Sequence, residues 1–315
     1  KIKQDVEELY EKILKQEKTR ALMFMYGYYL PTFYYRDKSS LQKLLPAIFS
    51  KEDKYLSLAA TEGYLAQTLY KDMFEDSKFQ ELYKEWLNLK DIKYPHQKHF
   101  KDVDEAIATH LALAFIHFDL SIDSDLLKTF WKIKNEARHK EFVSFIGRSV
   151  LVGNRGDKSI EKNAIQSAKL LGFWDWALEN ITDEKVLAEF GYWINPDMEV
   201  LDDKKIIKRL AKTMEQSNGQ IEWNHGFISR IESFANIDPE NTFKIIKLYL
   251  LDKTGNINQH REVFMMDNDK LISALKIINS KNAMQKEIKS LIDTLWKKDT
   301  MGRFWNYKIL LKKDE

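Results

Sequence analysis

The stretch Asp202-Asp-Lys-Lys-Ile206-Ile-Lys-Arg-Leu210-Ala-Lys-Thr-Met214-Glu-Gln-Ser-Asn-Gly219 decides the fold. Ile206, Ile207, Leu210, Ala211 and Met214 recur at helical spacing and form one apolar stripe on an otherwise charged segment. Ser217-Asn218-Gly219 ends it, because Asn and Gly tolerate the left-handed backbone that closes a helix. The same grammar holds on either side. Upstream, Thr182-Asp-Glu-Lys185 opens a helix carrying Val186, Leu187, Phe190 and Trp193, and Asn195-Pro196 stops it. Downstream, Asp238-Pro239-Glu240 supplies an Asp cap, a proline at the first helical position and an acidic first turn. Towards the N-terminus, Ser50-Lys-Glu-Asp53 reads as a variant capping box before Tyr55, Leu56, Leu58 and Ala59. Val6, Leu9, Tyr10, Ile13 and Leu14 make a further stripe.

Spacing carries the reading from helices to architecture. From about Ser159 onwards the expected helix starts fall near residues 160, 182, 199, 221, 239, 267 and 281. Taken in pairs this is a pitch of roughly 38 to 42 residues, which predicts an all-α chain built as an α-solenoid of antiparallel helix pairs, HEAT- or armadillo-like. The tetratricopeptide signature is absent. Residues Lys1–Leu120 read as helical but less regular. No Gly/Ser- or Pro-rich linker is present, so the expected division is 1–152 and 153–315, at the loop Gly153–Lys158, or else one continuous solenoid.

Composition agrees. Five prolines and eleven glycines in 315 residues fall well below the usual combined share of roughly 12%. Sandwiches, barrels and Gly-rich nucleotide folds need many tight turns and are disfavoured. Hydrophobic residues make up 44% and aromatics 13%, enough to bury a large core. Fifty basic against 48 acidic residues is not the balance of a nucleic-acid-coating protein. Residues 101–200 carry 12 basic and 17 acidic side chains, and the C-terminal excess of lysines is spread over helix faces. With no cysteine, disulfides, thiolate zinc sites and thiol nucleophiles are excluded, which fits a cytoplasmic location. The longest uncharged runs, Ala21–Tyr35 and Ala106–Phe118, are shorter than the roughly 20 residues a spanning helix needs. The chain begins Lys-Ile-Lys, and Lys1–Tyr10 is no signal peptide, so it reads as part of a longer polypeptide.

Chemical motifs are few. Gly153-Asn-Arg-Gly-Asp-Lys-Ser159 has two residues between its glycines where a phosphate loop has four, and Asp157 would face the phosphate; it reads as an inter-helix turn capped by Ser159. His96 and His99 lie beside the break at Pro95, and His110 and His117 are two turns apart, so no metal site is expected. Asp123/Asp125, Asp202/Asp203 and Asp267/Asp269 sit at expected helix starts, where carboxylates cap amides. No G-x-S-x-G or HExxH occurs, and no cofactor is expected.

The eight tryptophans and the basic loop remain. Most tryptophans fall in apolar stripes and read as core. Trp174 and Trp176 flank Asp175 and project about 200° apart on a helix, so one of them at most is central to a packed face. The other, or the neighbouring Phe173, is expected to be exposed or to pack on the next repeat, and an exposed one is a candidate anchor for a protein partner. Arg148, Arg155 and Lys158 belong to or border the loop Arg148–Lys158, where Arg155 is expected to be exposed and to contribute to recognition more than to stability.

The segments His110-Leu-Ala-Leu-Ala-Phe-Ile-His117, Phe145-Ile-Gly-Arg-Ser149, Ala188-Glu-Phe-Gly-Tyr-Trp193, Leu291-Ile-Asp-Thr-Leu295 and Gly302-Arg-Phe-Trp305 resemble, in texture, the C-terminal helical-repeat regions of large bacterial STAND-type NTPases and related antiphage-defence proteins. The resemblance spans roughly residues 100–311. It implies a HEAT/TPR-like sensor that binds a foreign protein, with an ATPase and effector elsewhere in the polypeptide. This chain has neither Walker motif, and no functional residue is carried over.

The expected function is therefore protein binding, as sensor or scaffold, with no catalysis within the chain. Its partner would be a phage protein or another subunit of the same system. A nucleic-acid-binding HEAT-like protein and an all-α enzyme with an unrecognised site are the alternatives.

Overall fold

Short polar side chains set where the helices begin. In the computed structural model, which describes residues 4–17, 19–89, 102–151, 160–194, 201–258, 265–281, 284–300 and 302–311, Asp53 accepts from the amides of Tyr55 and Leu56, Asp76 from Lys78 and Asp102 from Asp104. Ser124 caps the helix that starts at Asp125, Asp183 the one at Glu184, Asp202 the one at Asp203 and Asp238 the one at Pro239. The expected capping role of the Asp123/Asp125 pair thus passes to Ser124, whose side-chain oxygen reaches the free first-turn amide of Leu127. Ser50 bonds only to the amide of Glu52.

All regular structure among the described residues is helical, apart from one isolated bridge between Leu251 and Ile257. None of these helices is long and apolar enough to cross a membrane. The chain divides into two compact units, Lys1–Phe142 and Val143–Glu315.

The first unit contains α1 (Gln4–Gln16), α2 (Arg20–Tyr28), α3 (Leu30–Arg36), α4 (Lys38–Ile48), α5 (Lys54–Leu65), α6 (Lys71–Phe74), α7 (Ser77–Leu87), α8 (Val103–His117), α9 (Asp125–Lys132) and most of α10 (Glu136–Phe145). α2 lies along α5, α5 meets α8, and α7 packs on both α8 and α9. Its core is aromatic: Tyr64, Phe79, Tyr83 and Trp86 are each at most 2% exposed, with Tyr83 and Trp86 edge-to-face at 5.0 Å. Arg138 is buried but fully engaged. Its Nε donates to Asp104 at 2.6 Å and its Nη1 to the Leu87 carbonyl at 2.6 Å, so α10 is tied to α8 and to the end of α7.

The second unit opens on a π-helical turn, Ile146–Leu151, and continues through α11 (Ile160–Asn180), α12 (Glu184–Ala188), a 3-10 turn (Glu189–Trp193), α13 (Asp203–Gln216), α14 (His225–Ile237), α15 (Pro239–Leu250), α16 (Met265–Ser280), α17 (Gln285–Lys298) and a final 3-10 turn (Trp305–Leu311). α11 packs on α13, α13 on α15, and α14 on α16, while α14 also meets its sequence neighbours α13 and α15. Arg209 forks onto both carboxylate oxygens of Asp175 at 2.8 and 2.5 Å, and Arg230 bonds to Asp203, so ion pairs brace α13 against α11 and α14. The observed starts of α11 to α17 agree with the expected ones within about four residues.

By packing, the boundary between the compact units falls at Phe142/Val143; the sequence reading puts it at 152/153 or has one continuous solenoid. Trp193 Nε1 donates to the Val143 carbonyl at 2.9 Å, and the turn Ile146–Leu151 packs on Glu189–Trp193. Residues 143–151 therefore belong to the second unit. The loop Gly153–Lys158 lies outside the described residues.

Candidate functional site

Two glycines bring three loops of the second unit unusually close. A Cβ on Gly147 would stand 2.6 Å from Tyr192 Cβ, and one on Gly191 would stand 1.7 Å from the Glu222 carbonyl oxygen. Only glycine permits such backbone approach. Glu222 N–H bonds to the Ala188 carbonyl at 3.0 Å, which locks the 221–222 segment onto the 3-10 turn. The π turn, the 3-10 turn and the entry to α14 thus become one rigid corner.

Their side chains form a ladder on its surface. Arg148 is exposed, bonds through Nη2 to Ser144 Oγ at 3.0 Å, and holds its guanidinium 5.6 Å from the Tyr192 ring centroid. Tyr192 stacks on Trp223 at 6.1 Å and 29°. Trp223 meets the His225 ring edge-on at 6.5 Å. Trp223 is 50% exposed, although it is among the largest apolar side chains in the chain.

The backbone at Trp223 is left-handed, with φ at 50°. Bulky L-residues avoid this region, at a penalty of roughly 1–2 kcal/mol. Neighbouring bonds hold the conformation: Gly226 N–H to the Trp223 carbonyl at 3.1 Å, and Asn224 Nδ2 to Tyr249 Oη at 2.8 Å. Strain kept in place by its surroundings, presenting a large aromatic ring to solvent, is a mark of functional sites. The π turn beside it is another.

The sequence candidates distribute unevenly around this corner. Arg148 is in the ladder. Arg155 and Lys158 lie outside the described residues. Trp174 is wholly buried, stacked on Phe190 at 4.9 Å and bonded through Nε1 to Thr213 Oγ1 at 2.9 Å, so it offers a partner no surface. Trp176 is half-buried and stacks on Phe173 at 5.8 Å. Of the pair flanking Asp175, Trp174 is thus the core member. His110 bonds to Tyr83 Oη at 2.7 Å inside the first unit while His117 is exposed. His96, His99 and the string Gly153–Ser159 lie outside the described residues. Among the described residues no group of three or more His, Asp or Glu is arranged to hold a metal ion.

Tyr192 and Trp223 are not legible as surface residues in the sequence. The segments Phe145–Ser149 and Ala188–Trp193 both stand out there, but nothing in either says that Gly147 and Gly191 pack their turns together. Trp223 falls at the expected helix start near residue 221, where the sequence gives no sign that it is exposed.

The arrangement suits recognition rather than bond-making. Arg, Tyr and Trp are the residue types that dominate binding energy at protein interfaces, and here they are pre-ordered. In comparisons with family models, with curated proteins and with solved structures, nothing matches this chain.

Proposed function

We propose that the chain is a helical-repeat protein-binding region, a sensor or scaffold, and that its second unit docks a protein partner through Arg148, Tyr192 and Trp223. The observation that carries this reading is the exposed Trp223 ring, fixed by a left-handed backbone against Tyr192 and, beyond it, Arg148. Immobilising these side chains before binding lowers the entropy lost when a partner docks. The α-solenoid reading draws support from the packing of alternate helices, α11 on α13 on α15 and α14 on α16, the order in which stacked helix pairs meet.

On the resemblance to antiphage-defence proteins, the partner is a phage protein or another subunit of the same cytoplasmic system. Nucleic acid is disfavoured by chemistry: Arg209, Arg230 and Lys244 on successive helices are each bonded to a carboxylate, whereas phosphate tracking needs cations aimed outward.

The test compares wild type with the double variant Arg148→Glu, Trp223→Ser in pull-downs from bacterial extracts, with and without phage infection. A protein recovered by the wild type and lost by the variant, at equal thermal midpoints, supports the reading. Identical recovery by both removes this corner from the interface. Salt-sensitive binding of mixed-sequence single-stranded DNA or RNA would replace it with the nucleic-acid alternative.

A further inference from the structure

The first unit alone holds a cavity of about 690 Å³, between α8 and the C-terminal half of α5 with its following turn. Its size falls within the range of small-molecule sites. Val103, Ala106, Thr109, His110, Leu113 and His117 line it from α8. These positions recur at three and four residues and share one face of the helix. They run from its first residue to its last, so the cavity is a groove about 21 Å long at 1.5 Å per residue. Leu65, Ala66 and Leu69 form the opposite wall, and Phe118 stands at the His117 end.

The polar groups of the wall make no demand on a ligand. The buried Glu62 carboxylate lies 3.6 Å from the guanidinium of Arg20 and engages further neighbours. Thr109 Oγ1 donates to Glu141 at 3.3 Å. His110 bonds to the Tyr83 hydroxyl at 2.7 Å and to the Gln67 carbonyl at 3.3 Å, so both ring nitrogens are committed. Thr68 and His117 are exposed, and the groove opens to water beside them. Hydrocarbon contact is what the walls offer along the rest of their length.

Volume and length together select the ligand's shape. About 690 Å³ spread over about 21 Å leaves a section of about 33 Å², enough for one extended hydrocarbon chain and too little for two side by side. The helix itself calls for a cover: Val103–His117 is apolar on nearly every face, the pattern of a helix enclosed all round. Along this stripe the enclosure is a groove. From this we infer that the groove binds a single unbranched alkyl chain, laid along α8 between Leu113 and the pair Leu65 and Leu69. Its polar head stays in water beside Thr68 and His117.

Calorimetric titration of the full chain with 1-hexanol, 1-octanol and 1-decanol tests this, with 1-adamantanol as a compact alcohol of decanol's carbon count. Decanol is expected to bind saturably with a Kd below about 0.1 mM. Each added methylene should tighten binding by up to about fourfold, the equivalent of about 0.8 kcal/mol. Adamantanol should bind about tenfold more weakly than decanol, having fewer contacts with the walls. Leu113→Trp fills the middle of the groove from α8, and Thr68→Trp blocks it from an exposed position on the rim. Both should abolish decanol binding with helical circular dichroism unchanged; if Leu113→Trp does not fold, Thr68→Trp decides. Absence of saturable decanol binding overturns the inference. So does affinity that fails to rise with chain length, equal binding of adamantanol, or undiminished decanol binding in the folded tryptophan variants.

Discussion

Replacing Trp223 by glycine and by alanine should invert the usual order of those two residues. Alanine normally stabilises relative to glycine, by about 0.4–1 kcal/mol, because glycine has more freedom to lose on folding. At Trp223 the backbone is left-handed at φ 50°, where a Cβ costs roughly 1–2 kcal/mol and glycine nothing. Both variants lose the same stacking on Tyr192, which is worth about 0.5–1.5 kcal/mol, so that contact cancels in the comparison. The difference leaves Trp223→Gly about 0.5–1 kcal/mol more stable than Trp223→Ala. Against the wild type, relief of strain and loss of stacking nearly offset for the glycine variant. The assay is urea denaturation monitored by circular dichroism, comparing midpoints at equal slope. Alanine equal to or above glycine would refute the reasoning: the left-handed strain would then not be stored at Trp223, and the argument that the ring is held out for a partner would lose its energetic basis.

The packing sets three further outcomes. Trp174→Phe should destabilise by about 2–3 kcal/mol, from the cavity left beside Phe190 and the lost bond to Thr213; a change under about 0.5 kcal/mol in denaturant unfolding would mean Trp174 is not core. Gly191→Ala should cost about 2–4 kcal/mol, because its Cβ would drive Glu222 off the 3-10 turn; near-neutral unfolding would show that the corner yields. Asp76 is the pH-sensitive case. Burial raises the pKa of its carboxyl, but the bonds from Lys38 Nζ and from the Lys78 amide outweigh burial and hold it below the ordinary 3.8. A depressed folded-state pKa stabilises above the unfolded value and is lost as pH falls through the folded one. Asp76→Asn should therefore be less stable than wild type by about 1–2 kcal/mol at pH 7, and the gap should close below about pH 3.8. A gap constant down to pH 2 would assign the loss to packing.

Particular residues show where sequence reading works and where it stops. The stripe Ile206–Met214 and the start Asp238-Pro239 are readable because a helix is specified locally: apolar residues three and four apart share a face, and a cap acts across two or three residues. The helical class and the helix starts between residues 160 and 285 therefore belong to the sequence alone. Arg148 can be singled out as a basic residue near a turn, but not its stacking partners. Tyr192 lies 44 positions away and Trp223 a further 31, and they meet Arg148 only because Gly147 and Gly191 let three backbones touch. Trp174 and Trp176 have equal claims to exposure in the sequence, and it takes Phe190 and Thr213, from other elements, to bury Trp174. Local chain geometry determines which segments are helices. Burial, strain and the meeting of distant side chains depend on which faces pack together, and that is decided by long-range contacts that no periodicity encodes.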